Sequence, residues 1–292
     1  MKIKLECPYD FMDQNIIKDL NLSNDPECLI VNPGINKFLD ENYFNQFKNL
    51  KVVGTPSTGV NHMDTDYLDK NNIRYFCLLD DREGLESITA SAEFTWLHIM
   101  NSLRKFSESL NYVTNWREPS NESFLRSNEL SGKKLGVIGF GRIGRKLKKY
   151  ADAFDMGFKF YDPYVEGGCS DISELYDSDI LSLNCYLTSE TVNLITDKFL
   201  EGFKKPLIVV NTSRGEVVDE KYVAKLIKNK DIFYSCDVLC NEQNINKLKD
   251  SPLLEMNLDF RNLIITPHVA GCTVESQEKA LKTILKLCMI SQ

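Results

Sequence analysis

The chain has 292 residues, 42% of them hydrophobic, and this length predicts about two domains with a sizeable core in each. Its 35 Lys and Arg against 42 Asp and Glu give a net charge of -7, and the longest basic cluster is the short stretch from Arg145 to Lys149. We therefore expect neither nucleic acid nor an anionic membrane as a partner. No apolar stretch has the length of a signal peptide or a membrane span, so we expect a cytoplasmic protein.

The nine cysteines are odd in number and scattered from Cys7 to Cys288, a pattern typical of reduced thiols in the cytoplasm. The close pair Cys236 and Cys240 lacks a second pair at zinc-ribbon spacing. We therefore predict no metal site and interpret the cysteines as small core residues.

In the N-terminal part of the chain, β-branched runs alternate with helical periodicity. Four runs in the first 80 residues predict strands, namely KIKL, CLIV, KVVGT and IRYFC. Residues Ala90 to Leu110 predict one long helix. The polar, aperiodic stretch from Trp116 to Ser131 predicts a linker between domains.

From Leu135 the alternation starts again. Six further runs predict strands, namely LGVI, FKFY, DILSLN, PLIVVN, FYSC and NLIIT. Helix-length segments such as Asp219 to Lys228 separate them. A last amphipathic helix carries an apolar face formed by Ala280, Leu281, Ile284, Leu285 and Cys288. This order of elements predicts two α/β domains with parallel sheets.

The stretch LGVIGFGRIGRKL holds Gly139, Gly141 and Gly144 at the spacing G-x-G-x-x-G. In a dinucleotide fold the first glycine permits a tight turn, the second lets the backbone approach the pyrophosphate, and the third lets helix and strand pack closely. Here the glycines follow an apolar run and open a helix, which is the context the motif requires. The apolar face of that helix is formed by Ile143, Leu147, Tyr150 and Phe154.

Asp162 ends the next predicted strand, 18 residues after Gly144. A carboxylate there can accept hydrogen bonds from the adenosine ribose, and no Arg or Lys stands nearby in sequence to meet a 2′-phosphate. The pattern favours NAD over NADP. The alternative is that Asp162 and Pro163 only end a strand.

Three later strand ends carry reactive side chains: Arg214, then Asp237 and Glu242, then His268. Each has an ordinary structural interpretation, as a surface charge, a solvated loop acid or a hydrogen-bonded strand-end histidine. Ligands of open parallel sheets bind at the carboxyl ends of the strands. Together these residues supply the parts of a hydride-transfer site for a 2-oxo acid.

From Val52 to Ser276 the chain resembles the D-isomer-specific 2-hydroxyacid dehydrogenase family. The matching stretches, in the family's order, are STGVNHMD, SAEFTWLHIM, ELSGKKLGVIGFGRIG, YDPY, NTSRGEVVDE, CDVLCNE and TPHVAG. The resemblance implies an α/β fold of two Rossmann-like domains with parallel sheets. An NAD-binding domain at 98–270 is then inserted into a discontinuous substrate domain at 1–97 and 271–292, with the site in the cleft between them.

The resemblance implies that Arg214, Glu242 and His268 are catalytic and that the backbone of Thr58, Gly59 and Val60 holds the substrate carboxylate. It also implies a homodimer. The residues expected to contact NAD are Gly139, Gly141, Arg142, Ile143, Gly144, Asp162, Thr212, Ser213, Asp237 and Gly271. Physical logic agrees, because Arg214 can clamp a carboxylate with two donors and the anion of Glu242 raises the pKa of His268, the expected proton donor.

Several departures from the family's pattern bear on the substrate. No Arg follows the run CLIV, where Asn32 and Pro33 stand, and none stands at Thr55, so a phosphorylated substrate is disfavoured. Glu242 replaces the Gln of formate-oxidising relatives, and Thr58 replaces the Lys of phosphite-oxidising ones. The family's usual proline after SLN is missing, and Tyr186 lies two positions beyond Asn184.

Two other histidines have structural interpretations: His62 is expected to begin a helix, and His98 to pack inside one. The leading hypothesis for function is an NAD-dependent enzyme acting on a small, unphosphorylated 2-oxo or 2-hydroxy acid. The alternatives are a non-enzymatic NAD(H)-sensing or corepressor-like protein, a phosphoglycerate-type dehydrogenase, and a hydrolase that uses NAD as a built-in redox aid.

Overall fold

A computed structural model describes residues 1–10, 12–31, 37–256 and 262–290 of the chain. The chain folds into two compact units. The first unit comprises Met1–Ala90, Gln243–Ile245 and Gly271–Gln292, and the second comprises Ser91–Glu242 and Asn246–Ala270. Asn32 and Pro33, which bear on the prediction about phosphorylated substrates, lie outside the described residues.

Strands and helices alternate along most of the chain. The strands are β1 (Ile3–Glu6), β2 (Cys28–Val31), β3 (Val52–Gly54), β4 (Arg74–Phe76), β5 (Lys134–Ile138), β6 (Gly157–Tyr161), β7 (Ile180–Leu183), β8 (Leu207–Asn211), β9 (Ile232–Cys236) and β10 (Leu263–Ile265). The helices are α1 (Gln14–Ile17), α2 (Glu41–Phe44), α3 (Thr65–Lys70), α4 (Arg82–Glu86), α5 (Ala90–Arg104), α6 (Phe106–Ser109), α7 (Pro119–Leu125), α8 (Arg142–Ala153), α9 (Asp197–Glu201), α10 (Glu220–Lys228), α11 (Ile245–Leu248), α12 (Pro252–Met256) and α13 (Val274–Ile290).

The first unit is built on a parallel sheet with the order β1-β2-β3-β4. All four residues of β2 are buried, and they alternate between two cores because successive side chains of a strand point to opposite faces. Cys28 and Ile30 pack in the core that contains α13, whereas Leu29 and Val31 pack in the core that contains α2 and α3. The apolar face predicted for the last helix is confirmed, since all five of its residues are buried in that first core.

The second unit is built on a parallel sheet with the order β10-β9-β8-β7-β5-β6. After β6, on one side of β5, the chain crosses back so that β7 pairs with the other side of β5. Such a reversal of strand order opens a crevice at the carboxyl ends of the strands, where ligands bind in open α/β sheets. The site residues of this unit must therefore be sought just beyond the ends of its strands.

The α/β fold class and its two parallel sheets are as predicted, with a strand in every run proposed from the sequence. Two local predictions were wrong. The helix that begins at Ala90 ends at Arg104, because Lys105 has a φ of +52°, which a continuous helix excludes. The stretch 116–131 does not link the two units, since it lies inside the second unit and forms α7, with Pro119 in its first turn.

Two findings concern membranes and metals. None of the described helices is both long and apolar enough to cross a membrane. Among the described residues, which include all nine cysteines, every Cys carries a free thiol, and no group of three or more His, Cys, Asp or Glu side chains is arranged to hold a metal ion.

Candidate active site

The glycine-rich turn joins β5 to α8 through backbone geometry that only glycine provides. Gly139 has a φ of +92°, and a Cβ on it would lie 2.7 Å from the backbone of Asn184. A Cβ on Gly144 would lie 2.5 Å from the carbonyl oxygen of Gly139, so the third glycine lets α8 pack against the turn. At Gly141, which caps the 12-residue α8, a Cβ would meet nothing within 4 Å. This open space at a helix N-terminus fits a pyrophosphate.

Asp162 follows β6 and holds the same turn. Its Oδ2 accepts a hydrogen bond from the Phe140 backbone N–H at 2.8 Å, and its Oδ1 accepts one from the Tyr164 N–H at 3.0 Å. The carboxylate lines an open cavity of about 580 Å³ formed by residues 161–170. Each carboxylate oxygen can accept a further hydrogen bond, so the group fits the hydroxyls of a ribose in this cavity.

The other residues predicted to contact NAD in the second unit also lie at this edge of the sheet. Arg142 and Ile143 form the first turn of α8, and both are half-buried. Thr212 follows β8, and its hydroxyl lies 2.6 Å from that of Thr95 on α5. Since the Thr95 hydroxyl donates to the Ser91 carbonyl at 2.7 Å, Thr212 is the donor of the pair.

Arg214 is held at the end of β8 by a network centred on the buried side chain of Asn211. The Asn211 Oδ1 accepts from the Ser213 N–H at 3.0 Å, and its Nδ2 donates to the Arg214 carbonyl at 2.9 Å. The Arg214 guanidinium donates to the Ser213 carbonyl at 2.7 Å. A Cβ on Gly215 would lie 2.0 Å from the backbone of Leu239, so glycine here lets the loop after β9 close against the Arg214 turn.

His268 and Glu242 form an ion pair in the second unit. His268 Nδ1 lies 2.6 Å from Glu242 Oε2, and Glu242 Oε1 accepts the Leu239 N–H at 2.7 Å. The hydrogen bond to Glu242 raises the pKa of His268, against desolvation and the positive charge of Arg214, while Asp237 adds a further rise. About half of the His268 side chain is exposed, so its free Nε2 edge can reach a ligand.

Asp237 is buried, and its carboxylate binds the loop that carries His268. It accepts the Thr266 hydroxyl at 2.5 Å, the Val269 N–H at 3.0 Å and the Ala270 N–H at 2.7 Å. His268 itself has a φ of +53°, an uncommon conformation for a residue other than glycine. The structure therefore gives Asp237 a role in shaping this loop, beside the cofactor contact expected from the sequence.

Thr58, Gly59 and Val60 lie in the first unit, in the loop after β3. The Ser57 hydroxyl donates to the Gly59 carbonyl at 2.6 Å, and the buried Thr55 Oγ1 lies 3.1 Å from His62 Nε2. The prediction that His62 begins a helix was wrong, because Asp64 is the N-cap of α3 and His62 is buried before it. His62 braces this loop instead.

Two further positions singled out from the sequence, Gly271 and Tyr186, have local contacts of their own. Gly271 belongs to the first unit, and its carbonyl accepts the Ser276 hydroxyl at 2.5 Å. Tyr186 is exposed, and its carbonyl accepts the Thr191 hydroxyl at 2.6 Å. Burial raises the pKa of the neighbouring Cys185 to about 11, which keeps that thiol protonated.

Sequence reasoning missed several residues that shape the site. The bonds made by Asn211 and the close approach at Gly215 could have been suspected, since an Asn at a strand end and a Gly after a charged residue are signals of a tight turn. The buried contacts of His98 on α5 had no such signal, because its partners stand 137 and 168 residues away.

A parallel sheet with a glycine-rich turn at its switch point, and Arg214, Glu242 and His268 beyond neighbouring strands, defines a dinucleotide-dependent oxidoreductase. The chain belongs to the D-isomer specific 2-hydroxyacid dehydrogenase family, whose NAD binding domain matches residues 96–270. The prediction of this family from the sequence is confirmed, and NAD is the cofactor.

Two curated relatives and one solved structure illustrate the match. A glyoxylate reductase of Thermofilum pendens is 30% identical over 82% of this chain and 71% of its own length. A D-3-phosphoglycerate dehydrogenase of Bacillus subtilis is 30% identical over 81% of this chain but only 44% of its own length. A D-lactate dehydrogenase of Aquifex aeolicus, solved with NAD and lactic acid, is 26% identical, with a TM-score of 0.80 over 99% of this chain and 94% of that one.

Proposed function

We propose that this protein transfers a hydride between NAD and C2 of a small, unphosphorylated 2-oxo or 2-hydroxy acid, with the D-isomer as the hydroxy acid. In the reducing direction, C2 of the oxo acid gains a hydride and its oxygen gains a proton. The single observation that carries this proposal is the 2.6 Å bond between His268 and Glu242, in the same unit as Arg214.

His268 is the proposed proton donor to the substrate oxygen. Its Nδ1–H is engaged by Glu242, which fixes the ring and leaves Nε2 on the exposed edge. Because Glu242 raises the pKa of His268, the imidazolium persists to higher pH than in an isolated histidine. Reduction consumes this proton, and oxidation of the hydroxy acid returns it to a neutral ring.

Arg214 is the proposed ligand for the substrate carboxylate and for the oxygen at C2. A guanidinium presents donors in a planar fork that matches two acceptor oxygens. Its positive charge also stabilises the negative charge that develops on the oxygen during reduction. Thr58, Gly59 and Val60 are proposed to bind the carboxylate through their backbone, which makes the first unit the substrate domain.

The second unit is the proposed cofactor domain. The pyrophosphate is proposed to lie in the space beside Gly139, Gly141, Arg142, Ile143 and Gly144. Asp162 is proposed to bind the ribose. Further contacts are proposed for Thr212, Ser213, Asp237 and Gly271. The bound cofactor supplies or accepts the hydride.

The environment of Thr55 supports the proposal of an unphosphorylated substrate. Thr55 is fully buried and its hydroxyl is engaged with His62, so this position offers no cation to a phosphate. Both kinds of substrate occur among the relatives, since one is named for the unphosphorylated acid glyoxylate and another for phosphoglycerate.

The test is NADH consumption by the purified protein with glyoxylate, pyruvate, hydroxypyruvate, 2-oxoglutarate, longer 2-oxo acids and 3-phosphohydroxypyruvate. We expect turnover of at least one unphosphorylated acid, lost in both Arg214→Ala and His268→Ala. Cys272→Ser is a suitable control, since this exposed cysteine has no proposed role. Preference for the phosphorylated acid would overturn the substrate proposal. NADH binding without turnover would favour the sensing hypothesis, and NAD retained through purification would favour the hydrolase.

We further propose a homodimer formed through the segment after the start of α5. Five large apolar side chains between residues 97 and 116 are more than half exposed, namely Leu97, Phe106, Leu110, Val113 and Trp116. A group of this kind is typical of an interface between chains. Light scattering should give about twice the 33.5 kDa chain mass, and Leu110→Lys with Val113→Lys should restore the single-chain mass. A wild-type protein with the mass of one chain would refute this.

We also propose a cytoplasmic location, which the free thiols support.

A further inference from the structure

His98 is an ionisable side chain in the interior of the second unit. It lies on α5, is 3% exposed, and has the Phe94 ring one turn earlier on the helix at 5.0 Å from its own. A polar group in such a place destabilises the fold unless it is hydrogen-bonded. Both ring nitrogens have partners, with Nδ1 2.7 Å from the Ser235 hydroxyl and Nε2 3.1 Å from the Thr266 hydroxyl.

The directions of these hydrogen bonds follow from the carboxylate at their end. Asp237 can only accept, so the single proton of the Thr266 hydroxyl points to it across 2.5 Å. The Thr266 oxygen must then accept from His98 Nε2–H. Burial lowers the pKa of His98, so its ring is neutral and Nδ1 accepts from the Ser235 hydroxyl. A series of hydrogen bonds, each donated in the same direction, thus runs from Ser235 through His98 and Thr266 to Asp237.

The series of hydrogen bonds ends on the Asp237 carboxylate, which shapes the loop of His268. Asp237 accepts from Thr266, two residues before His268, and from the N–H groups of Val269 and Ala270 just after it. The loop is thereby held on both sides of a residue whose φ is +53°. A shift of Thr266 would move the His268 ring relative to Glu242.

We propose that His98 is a positioning residue, which holds the Thr266 hydroxyl against Asp237 and so keeps His268 in line with Glu242. The helix α5 is in this way tied to the loop that presents the proton donor. The inference rests on the proposed function for the role of His268 in turnover, but the placement of the His268 ring can be measured without a substrate.

The experiment combines kinetics with proton NMR of the imidazole rings. The chain has three histidines, so the titrating signal of His268 is assigned by comparison with His268→Asn. The variants are His98→Leu, which removes both hydrogen bonds, Thr266→Val, which removes the hydroxyl at nearly constant shape, and the double variant. Ser102→Ala is the control, because its buried hydroxyl donates only to the His98 carbonyl within the same helix, at 2.8 Å.

We expect His98→Leu and Thr266→Val each to lower kcat by about tenfold, the size of effect that the loss of about 1.4 kcal/mol of positioning gives. The His268 titration should move to lower pH, because its hydrogen bond to Glu242, the largest cause of the raised pKa, weakens. The charges of Arg214, which lowers the pKa, and of Asp237, which raises it, stay in place. The double variant should be no worse than either single one. His98→Gln, whose amide can both accept and donate, should recover most of kcat, and Ser102→Ala should match the wild type.

The inference is overturned if the single variants melt at lower temperature yet keep the wild-type kcat and His268 titration, since His98 then only stabilises the core. Additive losses in the double variant would also overturn it. If His98→Leu does not fold, Thr266→Val and His98→Gln decide. If the wild type turns over no acid, the proposed function fails, and the NMR titration of the same variants still decides whether His98 positions His268.

Discussion

Replacement of Glu242 by Gln tests the proposed acid directly. The ion pair joins His268 Nδ1 and Glu242 Oε2 at 2.6 Å, and the two side chains are 50% and 26% exposed. A hydrogen bond to a charged group contributes about 1.5–3 kcal/mol, and exposure to water reduces this to roughly 1–1.5 kcal/mol here. Since each 1.36 kcal/mol is tenfold in rate, Glu242→Gln should reduce kcat for 2-oxo acid reduction by about tenfold at pH 8.

The sign of the pH dependence follows from the raised pKa of His268. With His268 as the proposed proton donor, reduction needs the imidazolium, so activity should be lost as pH rises through that pKa. Removing the carboxylate lowers the pKa of His268, so the loss of activity should begin at lower pH in Glu242→Gln. The difference in kcat between this variant and the wild type should therefore be smaller at pH 5.5 than at pH 8. The assay is kcat for NADH oxidation from pH 5 to pH 9 at saturating oxo acid. A uniform deficit at every pH, with an unmoved midpoint, would refute the reasoning.

Three further substitutions test the cofactor domain. Gly141→Val should raise the Kd for NADH at least tenfold in a fluorescence titration, because the new side chain fills the open space proposed for the pyrophosphate. An unchanged Kd would show that the pyrophosphate does not bind at this position. Asp162→Ala should raise the KM for NADH about tenfold and narrow its advantage over NADPH, whereas an unaltered preference would contradict the ribose assignment. Gly215→Ala should lower the free energy of unfolding in urea by about 1–3 kcal/mol, because its Cβ would overlap the Leu239 backbone, and a wild-type midpoint would show that the loop yields freely.

Local sequence patterns predicted most of the fold. Continuous apolar runs marked each strand that the structure describes, because buried parallel strands are nearly continuous in β-branched and aliphatic residues. The end of α5 was missed, since Lys105 adopts a left-handed backbone conformation there and no Gly or Asn in the sequence indicates it. The α7 segment was missed because its polar residues lack helical periodicity.

The candidate site was predicted in part for a similar reason. Arg214, Glu242 and His268 stand at strand ends, and the parallel order of the strands brings strand ends to one edge. The three hydrogen bonds that Asp237 accepts from the loop after β10 depend on tertiary contacts 29 to 33 residues away. His98 lies inside α5 as predicted, but its hydroxyl partners Ser235 and Thr266 are distant in the sequence. His62 was wrongly expected to begin a helix, and its hydroxyl partner Thr55 stands in the same loop.

The bond between the Arg214 guanidinium and the Ser213 carbonyl has a consequence for affinity. A free arginine side chain samples many rotamers, and freezing it opposes binding by up to about 2 kcal/mol. Here the Asn211 amide holds the Arg214 backbone, and the 2.7 Å bond to the Ser213 carbonyl restricts the side chain within the fold itself. Much of that entropy is therefore lost during folding, and we expect the small anion proposed to bind Arg214 to need fewer contacts of its own for a given affinity.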